Sequence, residues 1–205
     1  MSTSRSALKG SCPDRLLGDT MPNTRIVGNQ SVIDFVLYDF ITEAGTFAAH
    51  TDVFFTNTLG SGLQISPLAV ANTLPANWSK FEVTGIGIKF TSGVFSAAST
   101  NGFLTAVQDA SYQVTVGQTP IKFGHLTEFL NVVGSFKYTS ANTSSIIAVD
   151  PSHMQSAYLS LSVPITIPAL TYFDMQVVWN TVSTALNSAV VGVFFKGLLY
   201  QNIYG

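Results

Sequence analysis

The sequence predicts an all-β fold: a single antiparallel β-sandwich domain, jelly-roll-like, with an extended N-terminal arm. Three observations predict it. Apolar residues alternate with polar ones, most cleanly at Leu159, Leu161, Val163, Ile165 and Ile167, which is the period of a half-buried strand. Strand-like segments recur roughly every 8–20 residues with no long amphipathic helix between them, which disfavours a parallel α/β sheet and fits sandwiches and jelly rolls. The chain of 205 residues is 46% hydrophobic and 12% aromatic with one cysteine, so it is neither a disordered chain nor a disulfide framework.

Residues 1–30 are polar, rich in Gly, Pro and Ser, and without a period; they read as the arm. The domain is expected over 31–205. Ser31–Glu43 is a β-rich run, long for one strand, consistent with a bulge. Asp52–Thr58 reads as the next strand, and Ser66–Trp78, interrupted by Pro67 and Pro75, as a short helix or ordered loop. Phe81–Ser92 alternates, with Phe81, Val83, Gly85, Gly87 and Lys89 on one face and Glu82, Thr84, Ile86, Ile88 and Phe90 on the other. Its two glycines point to a close backbone approach or a bulge. Ser111–Val116 and Pro120–Phe123 flank a turn at Gly117-Gln118, and Leu126–Val133 reads as one or two helical turns. Gly134–Thr139 and Ile146–Val149 flank a Ser/Asn-rich turn. Ala157–Ile167 contains Pro164, which places it at a sheet edge or a bulge. Tyr172–Thr181 and Val190–Tyr200 complete the set.

Charged residues make up 10% of the chain, against a usual ~25%, while Ser and Thr number 44. So little charge argues against a freely soluble monomer, because charge normally opposes self-association. All three arginines lie in residues 1–27, which carry four positive and two negative charges; residues 28–205 carry five lysines against nine acids. A body of net −4 does not suit phosphate neutralisation, and four dilute cations do not make a packaging arm. Weak or no direct nucleic-acid binding is expected. The start MSTSRSALKGS lacks the apolar core of a secretory signal, so synthesis in the cytoplasm is expected, with Cys12 a reduced thiol. An outer-membrane barrel is disfavoured by that start and by Pro164 and Pro168.

Little points to catalysis. His50, His125 and His153 are isolated, and no metalloprotease, P-loop or nucleophile-elbow motif occurs. His50-Thr51-Asp52 resembles a metal-motif fragment, but a facial triad needs a second histidine nearby. A β fold can bring Asp109, Glu128 or Asp150 together, which the sequence leaves open. No enzyme activity, cofactor or metal is expected.

The polar leader, about eight strands, low charge, abundant Ser/Thr/Asn and a last strand with a short tail resemble the single jelly-roll capsid proteins of icosahedral, membrane-containing bacteriophages and viruses. The segments that carry the likeness are Val32–Thr42, Phe81–Thr91, Ala157–Ile167, Tyr172–Thr181 and Val190–Tyr200. The likeness is one of style rather than of a motif. It implies a virion subunit that self-assembles into an icosahedral shell, contacting copies of itself, other virion proteins, and a lipid layer or another protein between shell and genome. Arg5, Lys9, Arg15, Leu16, Leu17 and Arg25 are the arm residues expected to make assembly contacts, since arginine binds carboxylates, carbonyls or lipid phosphates. The competing class is a carbohydrate- or receptor-binding jelly roll (spike, lectin or adhesin), with Trp78 as its candidate stacking platform or, alternatively, a plug at the end of a barrel.

Overall fold

A computed structural model describes residues 24–43, 49–56, 68, 70–91, 107–130, 137–141, 144–148, 158–180 and 190–203. They are almost entirely strands: β1 (Thr24–Val27), β2 (Gln30–Thr42), β3 (His50–Phe54), β4 (Trp78–Thr91), β5 (Ser111–Val116), β6 (Thr119–His125), β7 (Lys137–Ala141), β8 (Ser144–Ala148), β9 (Leu159–Pro168), β10 (Phe173–Trp179) and β11 (Val190–Asn202). A one-turn helix spans Thr127–Leu130, and residues 107–109 are also helical. One sheet has the order β1-β2-β11-β4-β9 and the other β3-β10-β5-β6, all antiparallel, with β7-β8 a separate hairpin.

The pairs β2·β11, β3·β10, β4·β9 and β5·β6 reveal the connectivity. The chain runs out through β2 to β5 and returns through β6, β9, β10 and β11. Eight strands therefore make one long hairpin wound into two sheets, the jelly-roll arrangement. Its core is Leu37, Phe81, Val83, Ile86, Val193 and Phe195 from the larger sheet against Phe54, Tyr112, Val114, Phe173, Met175 and Val177 from the smaller.

The larger sheet begins before Ser31. Val27 pairs with Gln30 across Gly28-Asn29, and Gly28 has φ of 63°. Glycine with positive φ at the first central position is what a type II′ hairpin turn requires. Residues 24–27, within the stretch read as a strandless arm, therefore form an edge strand. The β5–β6 hairpin uses the same device at Gly117, φ 65°.

Strand β4 departs from strict alternation. Gly85 pairs with Lys196 and Val83 with Gly197, so Thr84 is an extra residue against β11. A one-residue bulge reverses which face later side chains occupy. Phe81, Val83, Ile86 and Ile88 are consequently all buried, and Ile86 and Ile88 are not on a separate face. The bulge needs a close approach: a Cβ at Gly197 would collide with the Glu82 carbonyl oxygen. Strand β9 is the sheet edge that Pro164 predicts, and it also bulges, with Ile165 opposite Val83 but Ser160 opposite Gly85.

The segment between β3 and β4 is a loop where it is described, held by Asn72. Its side-chain amide donates to the carbonyls of Phe54 (3.2 Å) and Phe173 (3.1 Å), and its backbone N–H donates to Phe55. Asn72 takes φ of 53°, a conformation asparagine tolerates better than most residues.

Gly197→Ala is expected to destabilise the subunit by about 1–3 kcal/mol or more through backbone overlap. Gly28→Ala has open space around the new methyl and is expected to cost about 1 kcal/mol, through its positive φ alone. Urea unfolding followed by circular dichroism checks the order of the two.

Candidate functional site

Of the expected arm contacts, Arg5, Lys9, Arg15, Leu16 and Leu17 lie outside the described residues. Arg25 is described: it sits on β1 opposite Val32, exposed, beside Val27, Asp34, Leu198 and Tyr200. Strand β1 is an edge strand, and it carries Ile26 at 70% exposure. Among the described residues no strand pairs with its outer side, and a sheet edge with apolar side chains is a template for pairing with another chain.

A second apolar rim lies where the far edges of the two sheets meet. Ile121 and Lys122 of β6 face Leu159–Ile165 of β9 across a shallow groove. Val163, thrown outward by the β9 bulge, is 77% exposed. Phe123, 74% exposed, pairs with Gln113 and so shares its outward face. On the outer face of the larger sheet, Tyr38, Phe40 and Phe194 form an aromatic cluster with ring centroids 5.4–6.3 Å apart, all half-buried.

One polar network stands on that outer face. Lys80 pairs with Glu82, Tyr200 donates its hydroxyl to Glu82 (2.8 Å), and the Lys80 ammonium lies 4.3 Å from the Tyr200 ring centre. The Lys80 hydrogen bond holds the Glu82 carboxyl below its ordinary value, helped by Tyr200 and opposed by partial burial. The same hydrogen bond raises Lys80.

Three acids face inward. On β2 the core-facing positions continue from Leu37 to Asp39, and Glu43 follows in the same phase just past the strand; Asp39 and Glu43 are buried. On β3, Asp52 pairs with the buried Val177 and His50 with the buried Trp179, so both point between the sheets. Asp39 is satisfied by the backbone N–H groups of Phe40 (2.9 Å) and Phe55 (2.5 Å). Asp52 accepts from the Trp179 indole N–H (2.5 Å). His50 Nε2 lies 3.4 Å from Glu43 Oε2 and 3.4 Å from Asp52 Oδ1. Burial, with a hydrogen bond and the charge of Asp52, pushes the Glu43 carboxyl up to about 8.

The His50-Thr51-Asp52 fragment thus gains a third polar group from Glu43, which the sequence reading does not include. The signal for it is phase: Asp39 and Glu43 fall in step with Phe35, Leu37 and Ile41. The other candidates do not converge. Glu128 accepts from Tyr112 (2.9 Å) and pairs with Lys122 (3.5 Å); burial, then Glu128, raises the Tyr112 hydroxyl. The Asp109 carbonyl accepts from Asn180 (2.6 Å). His125 is exposed at the end of β6; Asp150 and His153 lie outside the described residues. Trp78 is 8% exposed and packs edge-on against Phe35 at 5.3 Å, so it plugs the core and offers no open face for stacking on a sugar.

No protein-family model matches the chain, and comparison with curated proteins finds no match.

Because the folded state prefers the charged form of Glu82, its contribution to stability is present above the ordinary carboxylate value of 4.5 and is lost as pH falls through the lower folded value. Glu82→Gln is expected to cost about 1 kcal/mol or less at neutral pH, as for a partly exposed pair. It should also flatten the loss of stability below pH 4.5, which thermal unfolding across pH 2–7 checks.

Proposed function

We propose that the protein is a structural coat subunit that self-assembles into an icosahedral viral shell. The observation that carries this reading is the pairing of a jelly-roll sandwich with apolar side chains at both of its edges: Ile26 on β1, Ile121 and Val163 on the β6/β9 rim, and Phe123 on the outward face of edge strand β6. Only 10% of the chain is charged. A shell subunit buries several faces against its neighbours, and each charge on those faces would be desolvated at a cost. Hydroxyl-rich and apolar surfaces avoid that cost, and the aromatic cluster at Tyr38, Phe40 and Phe194 adds a further apolar face. The partner at these surfaces is a second copy of the chain.

The charge distribution favours a shell that does not grip its genome directly. Residues 28–205 have five lysines, nine acids and no arginine, and electrostatic nucleic-acid binding needs the opposite balance. A lipid layer or another virion protein then separates coat from genome. The arm, with Arg5, Lys9, Arg15, Leu16 and Leu17, reaches neighbouring subunits or that inner layer.

The test is sedimentation velocity and electron microscopy of the full chain, of the double variant Phe123→Ser/Val163→Ser, and of a chain lacking residues 1–23. The full chain should form large closed particles. Since burying one large apolar side chain is worth about 1.5–3 kcal/mol, the double variant should raise the concentration needed for assembly at least tenfold. The truncated chain, which keeps β1, should melt at nearly the same temperature as isolated subunits yet fail to give normal particles. A full chain that stays monomeric up to its solubility limit contradicts the reading.

A further inference from the structure

We infer that Glu43, His50 and Asp52 form a binding site for a divalent transition-metal cation of the Zn²⁺ class, clamped between the two sheets at one end of the sandwich. One oxygen each from Glu43 and Asp52 and a ring nitrogen of His50 all lie within 4.8 Å of one another. The two 3.4 Å separations from His50 Nε2 to the carboxylate oxygens match the spacing of adjacent ligands around a tetrahedral Zn²⁺. With metal–ligand bonds of about 2.0–2.2 Å, such ligands sit about 3.3–3.6 Å apart. One imidazole with two carboxylates suits Zn²⁺ or Mn²⁺ better than Ca²⁺, which prefers six or more oxygens.

An independent observation points to a ligand. Glu43 is 5% exposed, and its Oε1 has no hydrogen-bond partner among the described residues. Buried carboxylate oxygens are costly unless hydrogen-bonded, paired or coordinated to a metal. The neighbouring buried acids follow that rule, Asp39 through two backbone N–H groups and Asp52 through Trp179; Glu43 shares a hydrogen bond with Asp52 but leaves its Oε1 unpaired. The Trp179 indole N–H on Asp52 Oδ2 is the outer support that commonly fixes a metal-binding carboxylate, and it leaves Oδ1 turned toward His50. Glu43 comes from the end of β2 and the other two groups from β3, so a bound cation would tie one sheet to the other. Three ligands leave a fourth position for water or a group from a neighbouring subunit. The site stands independently of the shell reading.

The test uses the full chain, stripped with a chelator and dialysed against Zn²⁺ or Mn²⁺, with Mg²⁺ as comparison. One Zn²⁺ per chain should survive desalting, and the melting temperature should rise with the logarithm of Zn²⁺ concentration but not with Mg²⁺. Glu43→Gln, nearly isosteric, should weaken Zn²⁺ binding at least tenfold. His50→Asn, at a partly exposed position, should do the same in a chain whose circular dichroism is unchanged. Three results would each overturn the site: no retained Zn²⁺, equal Zn²⁺ binding by wild type and both variants, or a melting temperature that rises on Glu43→Gln while wild type ignores the metal. The last would mean that the carboxyl pair holds only a proton.

Discussion

The position of β11 is the constraint on which the fold depends. It lies between β2 and β4, pairing with β2 along its full length from Val190↔Thr42 to Asn202↔Gln30 and with β4 from Val190↔Thr91 to Gln201↔Trp78. Without it the larger sheet is two unconnected pieces, β1-β2 and β4-β9. The core face of the sandwich is therefore completed by the strand that comes last, through contacts separated by about a hundred residues or more. Such non-local pairing costs loop-closure entropy before it is rewarded, so folding is expected to be slow and cooperative. The Thr84 bulge belongs to the same constraint. It lets β4 keep Phe81, Val83, Ile86 and Ile88 inside while β11 presents Val193, Phe195 and Leu199 beside them, and it works because residue 197 has no Cβ.

Much of this was legible in the residues, and what was not has physical reasons. The Leu159–Ile167 alternation marks β9, and Pro164 marks it as an edge, because proline cannot donate to a second neighbour. Gly117-Gln118 marks a hairpin. Gly28-Asn29 carries the same signal, but the polar, aperiodic stretch before it hides a four-residue edge strand with little side-chain burial. The face assignment of Ile86 and Ile88 fails because a bulge is set by the partner strand: nothing local to Thr84 says that Gly197 will sit opposite. Glu43 is the sharpest case. Reading histidines by their spacing in sequence leaves His50 isolated, whereas its neighbours are set by the sheet-to-sheet crossover after β2. The phase of Asp39 and Glu43 on a core face was visible all the same, and an acid at a core position calls for a partner.

The distribution of charge connects the core to the proposed role. Of the 11 acids in the chain, Asp39, Glu43, Asp52 and Asp174 are buried. This depletes further an outer surface that is already poor in charge, and leaves it to hydroxyl, amide and apolar groups. The edges follow the same pattern. Neither β1 nor the β6/β9 rim is protected by a dense row of charges, the usual defence of an exposed edge; on a shell subunit that defence would oppose assembly. A cation held by Glu43, His50 and Asp52 would add rigidity at one end of the sandwich, where it joins the sheets.

Electron cryomicroscopy of particles formed by the full chain tests the central claim most directly. The account predicts a closed shell of jelly-roll subunits in which neighbouring copies cover the β1 edge, the Tyr38–Phe40–Phe194 face and the β6 edge with its β9 rim, at Phe123 and Val163. Particles in which those three surfaces all face solvent, or a preparation containing only separate subunits, would contradict it.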